Sequence, residues 1–271
     1  MSGISRNFEY ADTKRKAVGA SSFAVKIQAH NGSSFNPAGQ MQFNLPSGQE
    51  GTYVDMDSVM IRFTVKNNNA QSVQFDGHTA YSTWENCAVL SSGITLSSIT
   101  NYNTLMNALQ DLNTSPQSSN IQHNLRGAAP GGERAHGATI ATTASRTVAL
   151  PLALVAIAET SPKSYLPLHG ASPLQIRIDL QDAATAFYQG TDGSLANSDI
   201  EYSNAELIAN FIRLDPAVQA QVDAACGGVY TMSCADWSHA STTLAASTSS
   251  LTATLGIARS SIERVLCTHR V

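Results

Sequence analysis

Charge is scarce in this sequence. Asp, Glu, Lys and Arg make up 13% of its 271 residues, about half the ~25% of an ordinary soluble protein. With a net charge of -4 and a pI near 5.9, the chain lacks the basic balance of a dedicated nucleic-acid binder. Aromatic residues are few, at 7%. No apolar run approaches the roughly 18 residues that a membrane-spanning helix needs. Residues 1–16 are polar and lack the apolar core of a secretory leader. The four cysteines, Cys87, Cys226, Cys234 and Cys267, are too far apart to read as a disulfide framework, which points to a reducing compartment. Hydroxyl groups are what the chain has in plenty, since Ser and Thr together are about a fifth of it. Apolar residues reach 42% and run throughout, which argues against disorder. The result is a neutral, hydroxyl-rich surface suited to being covered by neighbours.

The chain opens on an arm, residues 1–20. Arg6, Lys14, Arg15 and Lys16 concentrate a quarter of all its basic residues there, either as a solvated tail or as a tail that docks on an acidic or lipid surface. From Ser21 the apolar period becomes two: Phe23, Val25 and Ile27, then Met41, Phe43 and Leu45, then Val59, Ile61, Phe63 and Val65. These are half-buried antiparallel strands, separated by Asn, Gly and Pro clusters that read as turns. Residues 72–75 and 87–90 add short strands. Ile99, Tyr102, Leu105, Leu109 and Leu112 fall at helical spacing, with Ser98 placed as N-cap. Residues 113–138 form a long polar, Gly-rich loop, expected at a rim of the sandwich, exposed or against a neighbouring subunit.

After the loop come residues 147–155, residues 165–168 and a clean strand in which Leu174, Ile176, Ile178 and Leu180 alternate with polar residues. Residues 183–188 are expected to close this first unit. Gly190-Thr191-Asp192-Gly193-Ser194 reads as a linker, placed over residues 190–198. A second unit is expected over residues 199–271, with a strand at 206–214 and a short helix after Asp215-Pro216. In that helix Val218, Val222 and Ala225 point inward, and Gly227-Gly228 stops it. Further strands are expected at 229–234 and 249–257. Residues 80–87 (Ala-Tyr-Ser-Thr-Trp-Glu-Asn-Cys) echo residues 258–265 (Ala-Arg-Ser-Ser-Ile-Glu-Arg-Val), which suggests two copies of one β fold. The expectation is therefore an all-β chain of two tandem antiparallel sandwiches with short inserted helices: 21–189, and a second, incomplete one, which the resemblance given below implies are jelly rolls.

Catalytic patterns are missing. No Gly-Lys-Ser/Thr phosphate loop occurs, and no Gly-x-Ser-x-Gly or His-Glu-x-x-His. Cys226, Cys234 and His239 lack paired zinc-ligand spacing. Cys234, Asp236 and His239 sit on one short segment and are not expected to converge as a thiol-protease set. His123 and His136 read as surface residues of the long loop. Trp84 and Trp237 read as core or sandwich-edge anchors rather than sugar platforms. Asn31 and Asn113 begin glycosylation sequons, meaningful only if the protein meets that machinery. No catalytic residue, metal or cofactor is expected, and the chain is not read as an enzyme.

Three segments carry a family likeness. The first is 79–90 followed by 99–112, with Asn101-Tyr102-Asn103 opening the helix. The second is Tyr165-Leu166-Pro167-Leu168, then residues 172–180, ending in Ala186-Phe187. The third runs from Tyr202-Ser203-Asn204-Ala205-Glu206-Leu207 through Leu214-Asp215-Pro216 to Gly227-Gly228. In these the sequence resembles the double jelly-roll major capsid proteins of tailless icosahedral DNA viruses, a lineage that includes adenovirus, membrane-containing bacteriophages and large eukaryotic DNA viruses. The resemblance implies a structural protein made in the host cytoplasm and located in the virion shell, three copies forming a pseudo-hexameric capsomer. Its partners would be further copies of itself, neighbouring capsomers and minor capsid or penton proteins. Arg6, Lys14, Arg15 and Lys16 would face the genome or an internal membrane. The alternative is a single jelly-roll spike or glycan-binding module, which would show one complete sandwich and an aromatic-lined pocket.

Overall fold

Alternation of apolar residues builds the strands, and their register fixes the architecture. The computed structural model describes residues 19–48, 50–113, 115, 118, 124–129, 136–159, 165–169, 172–190, 195–242, 252, 261–262 and 264–267. In chain order the strands among them are β1 (Ala20–Gln28), β2 (Ser34–Phe35), β3 (Gln40–Asn44), β4 (Thr52–Asn67), β5 (Val73–Asp76), β6 (Trp84–Ser91) and β7 (Ile94–Ile99). Helix α1 (Tyr102–Asn113) follows, then β8 (His136–Ile140), β9 (Ser145–Pro151), β10 (Leu166–Pro167), β11 (Leu174–Leu180) and the single turn α2 (Ala183–Ala186). The chain continues with β12 (Phe187–Tyr188), β13 (Ile200–Leu214) and helix α3 (Pro216–Cys226).

Two sheets face one another across a single core. One has the order β1-β13-β4-β10, with β9 also pairing β4 and β2 pairing β13; the other has the order β3-β11-β6-β7. Every pairing among the described residues is antiparallel. Take the eight main strands in chain order as β1, β3, β4, β6, β7, β9, β11 and β13. The sheets then run first-eighth-third-sixth and second-seventh-fourth-fifth, which is the jelly roll. The expected core residues are inside: Val59, Ile61, Phe63, Val65, Ile176 and Ile178 are fully buried and Leu174 nearly so.

Several sequence expectations are corrected. The strand expected to open a second unit, β13, is the eighth strand of the first sandwich, lying between β1 and β4. Gly190 therefore precedes a return to the same sheet, not a new domain: Leu195 is buried and Ile200 pairs with Asn67. The alternation in β13 (Ile200, Tyr202, Ala205, Leu207, Ala209 and Phe211 inward) slips by one residue at Asn204. That residue takes φ +52°, a left-handed conformation that asparagine tolerates, and the register shifts there as in a β-bulge. Helix α1 starts at Tyr102, and Ser98 is not its cap but a β7 residue opposite Ala88. Ile99 completes an alternating strand, so its fit to the helical spacing is coincidental.

In α3 the buried residue is Gln219. Val218 and Val222 are half-buried and Ala225 is exposed. Pro216 begins the helix and Gly227, at φ +63°, ends it as expected. Residues 229–233 are irregular rather than a strand. Nearly all of 249–257 and half of the 258–265 echo lie outside the described residues, as do residues 1–18 with Arg6, Lys14, Arg15 and Lys16.

Candidate assembly surface

The register sorts the connections between strands into two ends. Those after β1 (29–39), β4 (68–83), β7 (100–144) and β11 (181–199) leave from one end, where Asn67 faces Ile200 and Lys66 faces Ser145. We call this the loop end. At the opposite end lie the short connections 45–51 and 92–93, the segment 152–173, residue 19 before β1 and residue 215 after β13. There Asp215 donates its backbone N–H to the Gly19 carbonyl, so the chain enters and leaves the sandwich side by side. We call this the chain end.

At the loop end the connections fuse into a third sheet, β12-β5-β8, with one strand from each of three of them. Its inner face is apolar, with Val73, Phe75, Ala138, Ile140 and Phe187 buried. Its outer face carries Gln74, Asp76, His136, Thr139 and Tyr188. His136 and Tyr188 stack there with ring centroids 3.8 Å apart, and Asp76 lies 3.8 Å from His136 Nδ1. The long loop is only partly a rim. Its Gly127, Ala128 and Ala129 are buried, because Gly127 passes so close to Phe75 that an added Cβ would sit 2.7 Å from the ring, at φ +70°. Only glycine fits that backbone and that gap.

Beneath this lid an aromatic chain fills the core. Phe75 and Phe187 lie 5.4 Å apart, Phe63 and Tyr202 5.9 Å, Tyr81 and Trp84 5.5 Å, and Trp84 and Tyr102 5.8 Å. Tyr81 donates its hydroxyl to the Pro151 carbonyl and Tyr102 to that of Ala153, which ties the lid and α1 to the strand below. Burial holds the phenols of Tyr81, Tyr102 and Tyr202 above their ordinary range. Burial, with the Asp179 charge adding to it, pushes the Cys87 thiol up to about 12.

The flanks of the sandwich are neutral ladders. On one sheet Gln175 donates to Asn44 and Gln42 to Gln40; on the other, Thr64 meets Thr147 at 2.9 Å and Gln28 donates to Glu206. Among the described residues ion pairs on these faces are few: Arg62 reaches Glu206 at 3.2 Å and Arg177 reaches Asp179 at 3.3 Å. On the two main sheets the large exposed apolar residues fall on edge strands: Phe23 on β1, and Ile94 and Leu96 on β7, at 70% and 53% exposure. Strand β7 escapes a reading by period because its outward residues are the apolar ones.

The chain end holds a compact polar hub. Tyr53 (β4) donates to Gln219 Oε1 at 3.0 Å. Gln219 Nε2 lies 2.8 Å from Asp223 Oδ1, 2.9 Å from His169 Nε2 and 3.0 Å from the Tyr230 hydroxyl. Tyr230 donates to the Asp223 carboxylate; burial and that bond hold its phenol above the ordinary range. No local sequence pattern marks these five residues, because they come from four separate segments. From the hub, residues 232–239 run along the sandwich. Ala235 N–H bonds to the Glu159 carbonyl, Ser97 donates to Asp236, and Asn101 Nδ2 lies 3.2 Å from His239 Nδ1. Met232 and Trp237 pack half-buried on the core.

Trp84 is fully buried and Trp237 is half-buried against the core. Cys226 and Cys234 are exposed; Asp236 and His239 are engaged with Ser97 and Asn101. Among the described residues no three His, Cys, Asp or Glu side chains gather as metal ligands. Of the two sequon asparagines, Asn31 has its side chain bridging the Gln40 carbonyl and the Gln42 N–H, and Asn113 is exposed at the end of α1. His123 falls outside the described residues, with the neighbouring positions 119–122.

No family model and no curated protein matches the sequence. Solved structures do match the fold. A quasi-atomic model of the PBCV-1 virus capsid aligns at TM-score 0.52 and 12% identity, covering 76% of this chain and 45% of that one. PBCV-1 VP54, as fitted into a reconstruction of the virophage Sputnik, aligns at TM-score 0.49 and 12% identity, with the same coverage. The Faustovirus major capsid protein aligns at TM-score 0.42 and 10% identity, covering 82% of this chain and 58% of that one. The chain thus spans about half the length of the capsid proteins it matches.

Proposed function

We propose that this chain is a shell-forming structural protein of an icosahedral virion, of the double jelly-roll capsid kind. One observation carries the reading: an eight-stranded jelly roll with a three-stranded lid built from the connections at one end, alike in fold to the PBCV-1 capsid over 76% of the chain. In this reading the sandwich stands normal to the shell, with the loop end outward and the chain end inward. Three copies pack through the amide and hydroxyl flanks into a pseudo-hexameric block, since flat faces of low charge desolvate cheaply against one another. In this reading α3 and residues 229–239, which lie against the first sandwich, connect it to a second. Arg6, Lys14, Arg15 and Lys16 lie beneath the shell, against packaged genome or an internal membrane, and minor capsid or penton proteins fill the positions between blocks.

The alternative, a single jelly-roll spike or glycan-binding module, also accounts for one complete sandwich. Against it stands the placement of both tryptophans in or against the core. Native mass measurement of the full-length protein separates the two. A stable trimer without affinity for immobilised sugars is expected, and a monomer that binds a sugar column would overturn the capsid reading. Replacing Arg6, Lys14, Arg15 and Lys16 together by Gln should reduce the salt dependence of assembly; unchanged salt dependence would leave the arm a plain tail.

A further inference from the structure

The two sides of the sandwich, where the edges of its sheets meet, are closed unequally. On the side of β7 the segment after α3 fills the gap: Met232 and Trp237 pack half-buried on the core, and Asp236 accepts from Ser97. On the opposite side β1 ends one sheet and β3 the other. Among the described residues β1 pairs with β13 alone. Its core-facing residues are Phe23, Val25 and Ile27. Phe23 stacks on Phe211 at 6.1 Å yet is 43% exposed, and Val25 and Ile27 are only half-buried. Alternate residues of a strand turn their N–H and C=O groups away from a single neighbour. Strand β1 therefore offers a free backbone ladder beside an uncovered apolar strip, the kind of edge that native proteins cover or blunt.

We propose that the chain's own N-terminal arm is the cover, residues 7–11 adding a short antiparallel strand to β1 with Tyr10 opposite Phe23 and Phe8 opposite Val25. The arm ends where this edge begins, since Gly19 directly precedes β1, so it is tethered beside the surface it covers. Phe8 and Tyr10 are the only aromatic residues ahead of Phe23. They stand two apart and so share one face of an extended chain. Residues 11–18 make the return connection. At about 3.3 Å per residue they reach well beyond the ~10 Å from the start of β1 to Phe23. Charge agrees with this register. Lys26 is the only charged residue of β1; with Phe8 and Tyr10 turned to the core, Glu9 lies on the outer face, diagonal to Lys26 and within side-chain reach. Lys14, Arg15 and Lys16 then fall in the turn at the chain end. The pairing does not depend on the capsid reading, and a chain that forms no shell would still make it.

Hydrogen–deuterium exchange tests this on the full chain, on a variant lacking residues 2–12 and on Phe8→Ser/Tyr10→Ser. In the full chain the β1 amides that point away from β13 should be protected. In both variants their protection should fall about tenfold, the size of one net hydrogen bond, while β4 and β13 stay protected. Outward β1 amides that exchange alike in all three chains refute the arm. So does protection that vanishes on dilution to the monomer with the arm intact, because a second copy is then the cover. Should both variants fail to fold, mild oxidation of a Tyr10→Cys/Phe23→Cys chain decides. A disulfide between these two positions within one chain, found by peptide mapping, supports the pairing. Failure to form it, or its formation only between chains, overturns the proposal.

Discussion

The two ends of the sandwich are held by different physics. At the loop end, connections distant in sequence are welded by burial: Phe75, Phe187, Trp84, Tyr81 and Tyr102 interlock under a three-stranded lid. At the chain end, four polar side chains meet around one buried amide, that of Gln219, and the strands they join are already complete without them. Apolar packing of large rings contributes strongly to stability, whereas a polar hub contributes little net stability and mainly fixes geometry.

Truncating the loop-end aromatics should have the largest effect. Trp84→Ala removes a fully buried ring that touches Phe63, Tyr81 and Tyr102, and should cost about 3–5 kcal/mol. In a domain of this size that lowers the melting temperature by about 10 °C, measurable by calorimetry. Gly127→Val comes next, at about 3 kcal/mol, since it adds atoms against Phe75 and strains a positive φ. A tolerated valine would show that the lid is looser than its packing implies.

The strands that were legible in the sequence lie between the ends. Leu174 to Leu180 alternates without a break and is β11, and Val59 to Val65 lies within β4, because a half-buried strand writes its period locally. What was not legible is pairing over distance. Residues 206–214 read as a strand but carry no mark that the partners are β1 and β4 or that the strand begins at Ile200, and the Gly-rich 190–194 stretch mimicked a domain boundary. The hub was invisible for the same reason, since the helix after Asp215-Pro216 reads with Val218, Val222 and Ala225 inward and not Gln219. Ile94 and Leu96 show a third failure, where outward apolar residues reverse the expected pattern of an edge strand.

Alkaline pH should undo the loop end first. Tyr81, Tyr102, Tyr202 and Cys87 hold their protons more tightly folded than unfolded. In the unfolded chain Cys and Tyr ionise near about 8.5 and 10. Above those values the folded state binds more protons than the unfolded one, so unfolding free energy falls as pH rises; below them the contribution is fully present. The melting temperature should decline above about pH 9, and less steeply in Tyr202→Phe. A flat profile to strongly alkaline pH would contradict the burial of these groups.

The smallest effects concern accessibility and the hub itself. Cys226 and Cys234 are exposed and should react promptly with a thiol reagent, while Cys87 should react only on unfolding. Tyr230→Phe should cost about 1 kcal/mol or less and leave the loop end unaltered in exchange. If it instead destabilised β5 or β8, the two ends would not be independent.

The capsid reading is tested most directly by electron cryo-microscopy of particles purified from the source of this chain. The account predicts a shell whose capsomers contain this jelly roll, standing normal to the surface with the β12-β5-β8 lid outward and Gly19 and Asp215 inward. Particles without this sandwich in the shell, or a sandwich lying flat in it, would contradict the account.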